Sequence, residues 1–360
     1  MISFELSEEQ KIAQSSMGEF AKSVLRPEGR RLDDASKMDD ATLAQLWATG
    51  VVQSQADTGG EKRSSVLNAI VLEELAVGDA GLALALGSTM GFVQAIADQG
   101  SAKQQADLLK RFMGEKFEAA AVAMMEPRFE FDVSKLQTKA EKAGADYVLS
   151  GVKTMVPLAA RCGHFLVIAE CGGARDAFIV PRSAAGVKVA QPKGSLGLRA
   201  LELAEVTFEN VKVPAAMRLG EGNGADIQRI VDSARVGLSC IMAGMGRGVL
   251  EYAIPYLKER VVHGVPLAQK QKVAFDLADM HIDIEAMRWM NWKAAWEIEN
   301  NMSATKSAQL AYTYAGTATM TIADNGLQSF GGHGFVRVNP LELWYRNARS
   351  LSVLEGVAGV

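Results

Sequence analysis

The hydrophobic positions change period twice along the chain. Up to residue 116 they recur every three or four residues, with Met17, Phe20 and Val24 on one face and Leu108, Leu109, Phe112 and Met113 on another, as in amphipathic helices. Ser7 with Gln10 and Ser101 with Gln104 have the spacing of capping boxes. A helix is therefore predicted to begin at Ser7 and another at Ser101, with Gly114 as a stop. From about residue 118 the runs shorten to AAAVAMM, DYVLSGVK, HFLVIAE, DAFIVP, GVKVA and AEVTFENVKVP. They are rich in β-branched and aromatic residues and are separated by Gly, Pro and charge, which predicts strands. No ten-residue helical pattern lies between them, so an antiparallel sheet or barrel is expected rather than a doubly wound sheet. After LGEGNG at 219–224 the helical period returns, and Val273, Leu277, Met280, Ile284 and Met287 form one stripe. The pattern divides the chain into a helical part (1–116), a β part (117–222) and a second helical part (223–360), an α+β protein.

Charge and cysteine usage narrow the function classes. The 360 residues carry 38 basic and 42 acidic side chains, a net charge of −4. No block of five like charges appears, which argues against a nucleic-acid footprint or a polybasic membrane anchor. Cys162, Cys171 and Cys240 are odd in number and lack paired metal spacing, as do the four histidines, so neither a disulfide framework nor a metal site is expected. The start MISFELSEEQ lacks a signal-peptide pattern, and apolar stretches are read as broken by charge or Gly before membrane-spanning length. A cytoplasmic protein without membrane insertion is the expectation.

Four local features could carry chemistry. In QSFGGHGF (Gln328–Phe335) the glycines would let a phosphate approach the backbone, though the same residues read equally as a helix-terminating turn. Arg260 could grip a pyrophosphate or pair with the adjacent Glu259. Asp232 and Arg235, three apart on one helical face, suit an ion pair or a nucleotide ligand. Glu355, in SVLEGVAGV, has apolar neighbours that would desolvate its carboxylate and raise its pKa, making a proton acceptor near neutral pH. Trp289, Trp292 and Trp296 repeat at helical spacing and are read as core or subunit-interface packing.

Taken in order, FELSEEQ, GLRALELAEVTFENVKVP with LGEGNG, DSAR, ERVVHGVPLAQKQKVAFDLADM, QSFGGHGF and YRNARSLSVLEG resemble the landmarks of the acyl-CoA dehydrogenase family over essentially the whole chain. The resemblance implies a helical N-terminal domain, a small antiparallel β-barrel middle domain and a C-terminal four-helix bundle. It also implies an FAD enzyme of fatty acid metabolism that forms a trans-2-enoyl-CoA from an acyl-CoA. Glu355 would take the α proton, flavin N5 would accept the β hydride, and Gly356 would lie near the thioester. A minority of members place the base just before the arginine of DxxR, where this chain has Ala234. Asp232 and Arg235 match residues near the CoA chain. Arg260, Gln271, Gln328, Gly331 and Gly332 match residues that reach the FAD of a neighbouring subunit, so an oligomer, typically a tetramer, is implied, as is an electron-transferring flavoprotein as acceptor.

The middle domain departs from the family pattern. The T-E-P-x-x-G-S-D segment reads MEPRFEFD, with Met125 for threonine and Glu130 and Phe131 for Gly-Ser. The ring-contacting aromatic-I-T segment reads Met155, Val156 and Pro157, and proline offers no N–H. His263 and Val357 replace a family aromatic and threonine. Because these changes fall on the half of the flavin pocket a subunit builds for itself, a second reading is a partner subunit. Such a chain would complete the FAD site of a homologous chain in a heterotetramer; a non-catalytic CoA-ester or flavin-binding relative is the third.

Overall fold

A computed structural model describes residues 5–57, 59, 63–192 and 194–360; Phe4 of FELSEEQ lies outside them. Both expected capping boxes are formed, at Ser7 for α1 (Glu8–Phe20) and at Ser101 for α7 (Ala102–Leu108), and Gly114 ends the turn that follows α7. Between them come α2 (Arg26–Ala35), α3 (Asp40–Trp47), α4 (Val51–Ala56), α5 (Ser65–Gly78) and α6 (Ala80–Gln99). α6 corrects one expectation. It is long and apolar enough to cross a membrane, with a mean hydropathy of 1.5, because Gly87 and Gly91 do not interrupt it; 94% of that window is buried inside the fold.

The middle of the chain folds as seven strands: β1 (Ala120–Ala123), β2 (Lys139–Ala143), β3 (Asp146–Val156), β4 (His164–Cys171), β5 (Ala174–Pro181), β6 (Val187–Val189) and β7 (Ala204–Val213). They form one sheet in the order β1-β4-β2-β3-β7-β6, with β5 paired to β4. Most neighbours are antiparallel, as expected, but β4 runs parallel to both β1 and β2, so the sheet is mixed rather than purely antiparallel. Strand β2 was not among the predicted runs, because KAEKA buries only Ala140. Phe165, Phe178, Val206 and Phe208 fill the core under the sheet.

Four helices complete the chain: α8 (Ile227–Glu259), α9 (Gln271–Glu299), α10 (Thr305–Ser329) and α11 (Leu341–Leu351). On α9, Met280, Ile284 and Met287 are buried and Val273 and Leu277 pack against them, as the stripe requires. Trp289 and Trp292 pack edge to face on the flank of that helix, centroids 5.1 Å apart. Charged pairs tie α5 to this bundle: Arg288 donates from Nε to Glu73 at 2.9 Å and Arg247 pairs with Glu74. Between α8 and α9 a short hairpin, β8 (Val261–Val262) and β9 (Val265–Pro266), turns at His263 and Gly264, with φ values of 53° and 80°. Positive φ at both turn residues is the conformation that closes two-residue hairpins.

Candidate active site

Glu355 follows α11 in an irregular segment fixed from three sides. Tyr312 of α10 donates its hydroxyl to the carbonyl oxygen of Leu354. The Glu355 backbone N–H donates to Met125 Sδ at 3.2 Å, reaching back to the end of β1. Gly356 has φ +77°, and a Cβ there would lie 2.5 Å from Met124 Sδ, so only glycine lets the chain pass this close to the middle domain. Burial, and then the negative charge of Glu355, push the Tyr312 hydroxyl up to about 12, which keeps it a neutral donor.

The Glu355 carboxylate departs from the apolar surroundings expected of it. Arg235 of α8 donates to Oε1 from Nε at 2.8 Å and also from Nη2. The two side chains are 14% and 16% exposed, so the charge is paired and close to solvent rather than desolvated and alone. With Oε1 taken by the arginine, the second oxygen is left for a substrate proton. The Asp232–Arg235 pair, one of two readings of DSAR, does not form. Asp232 is buried, and its oxygens accept from Gln228 Nε2 and Thr305 Oγ1, each at 2.8 Å.

The middle-domain residues of the candidate site are satisfied from within. Met125 is half-buried, and its carbonyl accepts from Thr154 N–H at 2.9 Å. Beside it lies a buried ion pair: Lys153 Nζ donates to Glu126 Oε1 at 3.1 Å and to the Met124 carbonyl at 3.0 Å. Gln137 and Thr138 N–H groups, each at 2.8 Å, complete the glutamate. Burial pulls Lys153 down to about 8 against the attraction of Glu126. Burial pushes the other way on Glu126, but the lysine charge and the backbone donors outweigh it and hold the carboxyl below the usual range. Met155 sits at φ +56° where β3 slips its register. The Val156 side chain is buried in the β core, so only its backbone is left to face a ligand. Glu130 is exposed, and Arg128 caps the loop by donating to the Asp132 carbonyl at 3.1 Å.

The residues matched to a neighbour's cofactor lie at the far end of the bundle. Arg260 caps α8, Gln271 opens α9, and Gln328 stands one residue before the end of α10, all exposed; the Gly331–Phe335 turn follows. Tyr256, one turn before Arg260, stacks on Phe330 and shares a 3.0 Å hydrogen bond with His333; the Arg260 carbonyl accepts from Leu267 N–H at 2.8 Å. These links join the end of α8 to the Phe330–His333 turn and to the segment that leads into α9. Neither Arg260–Glu259 pairing nor any other ion pair involving Arg260 occurs among the described residues. A Cβ on Gly331 or Gly332 would meet nothing within 4 Å.

Arg235 and Arg260 sit 25 residues apart on one helix, which at 1.5 Å per residue is about 37 Å. That is farther than a single FAD reaches from its ring to its pyrophosphate, so this chain's Glu355 and Arg260 cannot serve one flavin. The donor set nevertheless fits the cofactor when split between two copies. Arg260, two amides and glycine backbone suit a pyrophosphate, while the Met125 and Met155 side chains offer apolar surface to the ring and Val156 offers backbone. Sequence reasoning missed Tyr312, Met124 and the Glu126–Lys153 pair as supports of the site, since no local spacing marks contacts made across the fold. Among the described residues no group of His, Cys, Asp and Glu could hold a metal.

Three family models cover most of the chain: acyl-CoA dehydrogenase N-terminal domain over residues 7–116, middle domain over 121–211 and C-terminal domain over 220–360. A short/branched chain specific acyl-CoA dehydrogenase of Bos taurus is 29% identical over 98% of this chain and 84% of its own length. A probable acyl-CoA dehydrogenase of Bacillus subtilis, YngJ, is 27% identical over 100% and 97%. Among solved structures, butyryl-CoA dehydrogenase from Megasphaera elsdenii superposes with a TM-score of 0.89 at 26% identity, covering 98% of this chain and 95% of the other. A chain in the structure of the electron transferring flavoprotein of Acidaminococcus fermentans gives the same values. The chain belongs to the acyl-CoA dehydrogenase family, the FAD-dependent oxidoreductases that act on acyl-CoA.

Proposed function

We propose that this chain dehydrogenates an acyl-CoA between its α and β carbons, with Glu355 as the base and a second copy of the chain completing each FAD site. The observation that carries this is the fixing of Glu355 by Arg235, Met125 and the Tyr312-held turn. Arg260, Gln271, Gln328 and the Gly331–Gly332 backbone of one copy, with Met125 and Met155 of the other, would hold FAD, which would supply the acceptor for the β hydrogen and its bonding electron pair. Glu355 takes the α proton at its free oxygen, and the electrons left in the Cα–H bond form the double bond, so the product is the trans-2-enoyl thioester. Arg235 fixes the position of the glutamate before the substrate arrives. The Gly356 backbone would lie near the thioester carbonyl, whose negative charge grows as the α proton leaves. The relatives' names support a short acyl-CoA as substrate and an electron-transferring flavoprotein as acceptor, and the setting proposed is the cytoplasm. The test is the absorption spectrum of the purified chain. Flavin absorption that bleaches on adding butyryl-CoA is expected; a flavin-loaded protein unmoved by any acyl-CoA contradicts the reading.

A second reading, a partner subunit lending its outward residues to a homologous chain, is favoured by Pro157 and the exposed Glu130 in the middle-domain half. It predicts a colourless protein alone and a yellow one when a homologous chain is co-expressed.

A further inference from the structure

Immediately after Glu355 and Gly356, the segment Val357–Val360 leaves the surface and runs between α6 and α8, every residue buried. The two helices are indented to admit it. A Cβ on Gly91 of α6 would lie 2.8 Å from the Ala358 carbonyl oxygen, one on Gly237 of α8 would lie 2.9 Å from Gly359 N, and one on Gly87 would touch the Ala358 methyl at 3.6 Å. Backbone can lie against backbone here only because Gly91 and Gly237 lack side chains. Such a groove, apolar and one extended chain wide, is the shape that would take an acyl chain leading away from the base.

The groove is filled from within. Val357, Ala358 and Val360 are at most 3% exposed. The cavity left beside them, bounded by Gly91, Gln94, Ser233 and Ala358, measures about 20 Å³, room for about one water. The far end of the segment is pinned. The Val360 carbonyl oxygen accepts from Arg63 Nη1 at 2.9 Å and from Ser233 Oγ at 3.2 Å, and Val360 N–H donates to Ser233 Oγ at 3.0 Å. An acyl chain approaching Glu355 therefore meets the chain's own residues in the space where its further methylenes would go.

We propose that Val357–Val360 is the floor of the acyl site, with Ala358 seated on Gly87, Gly91 and Gly237 as the length gauge, so that this protein takes short acyl thioesters. The inference rests on the reaction assigned above. In a pocket closed by packed atoms, each methylene that does not fit costs roughly tenfold or more in kcat/KM.

The test compares butyryl-CoA with octanoyl-CoA on the FAD-loaded protein, using three forms: wild type, a variant ending at Val357, and the Arg63→Ala/Ser233→Ala double variant, which loosens the pin while keeping every residue of the segment. Wild type is expected to prefer butyryl-CoA by at least about a hundredfold. Both variants should shift that ratio toward octanoyl-CoA, by at least about tenfold in the shortened one. Equal use of both thioesters by wild type, or an unchanged ratio in two variants that keep their FAD and circular dichroism, overturns the gauge. If neither thioester reduces the flavin, the reaction assignment falls. Calorimetric binding of the two thioesters then decides the gauge: tighter octanoyl-CoA binding after loosening the segment supports it, and no change overturns it.

Discussion

The two halves of the flavin site differ in where their polar groups point. On the middle domain, Glu126, Lys153 and the Met125 carbonyl are bonded to one another or to neighbouring backbone inside the chain. At the far end of the bundle, Arg260, Gln271 and Gln328 are exposed, and no ion pair involving Arg260 occurs among the described residues. The first half is finished by folding, and on the function proposed above the second is finished by another molecule. Substitutions in the inward half should therefore appear as lost stability, and those in the outward half as lost cofactor with the fold unchanged.

The largest expected effect belongs to neither half. Glu355→Gln should slow flavin bleaching by roughly 10²–10⁴-fold, the range of a general base, while FAD content and unfolding midpoint stay at the wild-type values. A bleaching rate equal to wild type in stopped flow would remove Glu355 from the chemistry.

On the inward half, Lys153→Met leaves Glu126 buried without its cation and should lower the unfolding free energy by about 3–5 kcal/mol, read from urea titration. The same lysine carries a pH signature. From about pH 8, where the folded chain releases this proton, up to the ordinary lysine value of 10.5, the unfolded chain still holds it, so this residue makes stability rise with pH across that window. The gap between wild type and Lys153→Met should widen there; a gap that narrows contradicts the assignment.

Arg260→Ala is the outward counterpart. Losing a charge-assisted donor should weaken FAD binding by about 1.5–3 kcal/mol, while stability of the FAD-free protein stays within about 0.5 kcal/mol. Fluorescence titration with FAD and urea unfolding separate the two, and a destabilisation comparable to that of Lys153→Met would erase the difference between the halves. Tyr312→Phe should have the smallest effect. Loss of one hydrogen bond to the Leu354 carbonyl costs about 0.5–1.5 kcal/mol and should lower kcat a few-fold with FAD content unchanged, the behaviour of a positioning residue.

How much of this was legible in the chain depends on the reach of the contact. The capping boxes at Ser7 and Ser101 could be read because donor and acceptor lie three residues apart, and most strands because their apolar runs are local. β2 escaped because its exposed Lys and Glu outnumber the single buried Ala140, and β8–β9 because two-residue strands have no period. Glu355 and Arg260 were found through the order of landmarks. The Arg235–Glu355 pair joins residues 120 apart in sequence, and nothing in either segment announces it. The burial of Val357–Val360 was equally hidden, since a run of small apolar residues says nothing about which helices close over it.

The central claim is that each base works beside a flavin held by another copy's Arg260, and mixing two defective proteins tests it most directly. Glu355→Gln and Arg260→Ala are unfolded together, refolded, and assayed with FAD too dilute to fill the Arg260→Ala oligomer. A mixed pair contains one site with Glu355 from one chain and Arg260 from the other, so random assembly should restore roughly a quarter of the wild-type sites and activity. A mixture no more active than the average of its two parents would mean that base and arginine serve the same chain, and would contradict the account.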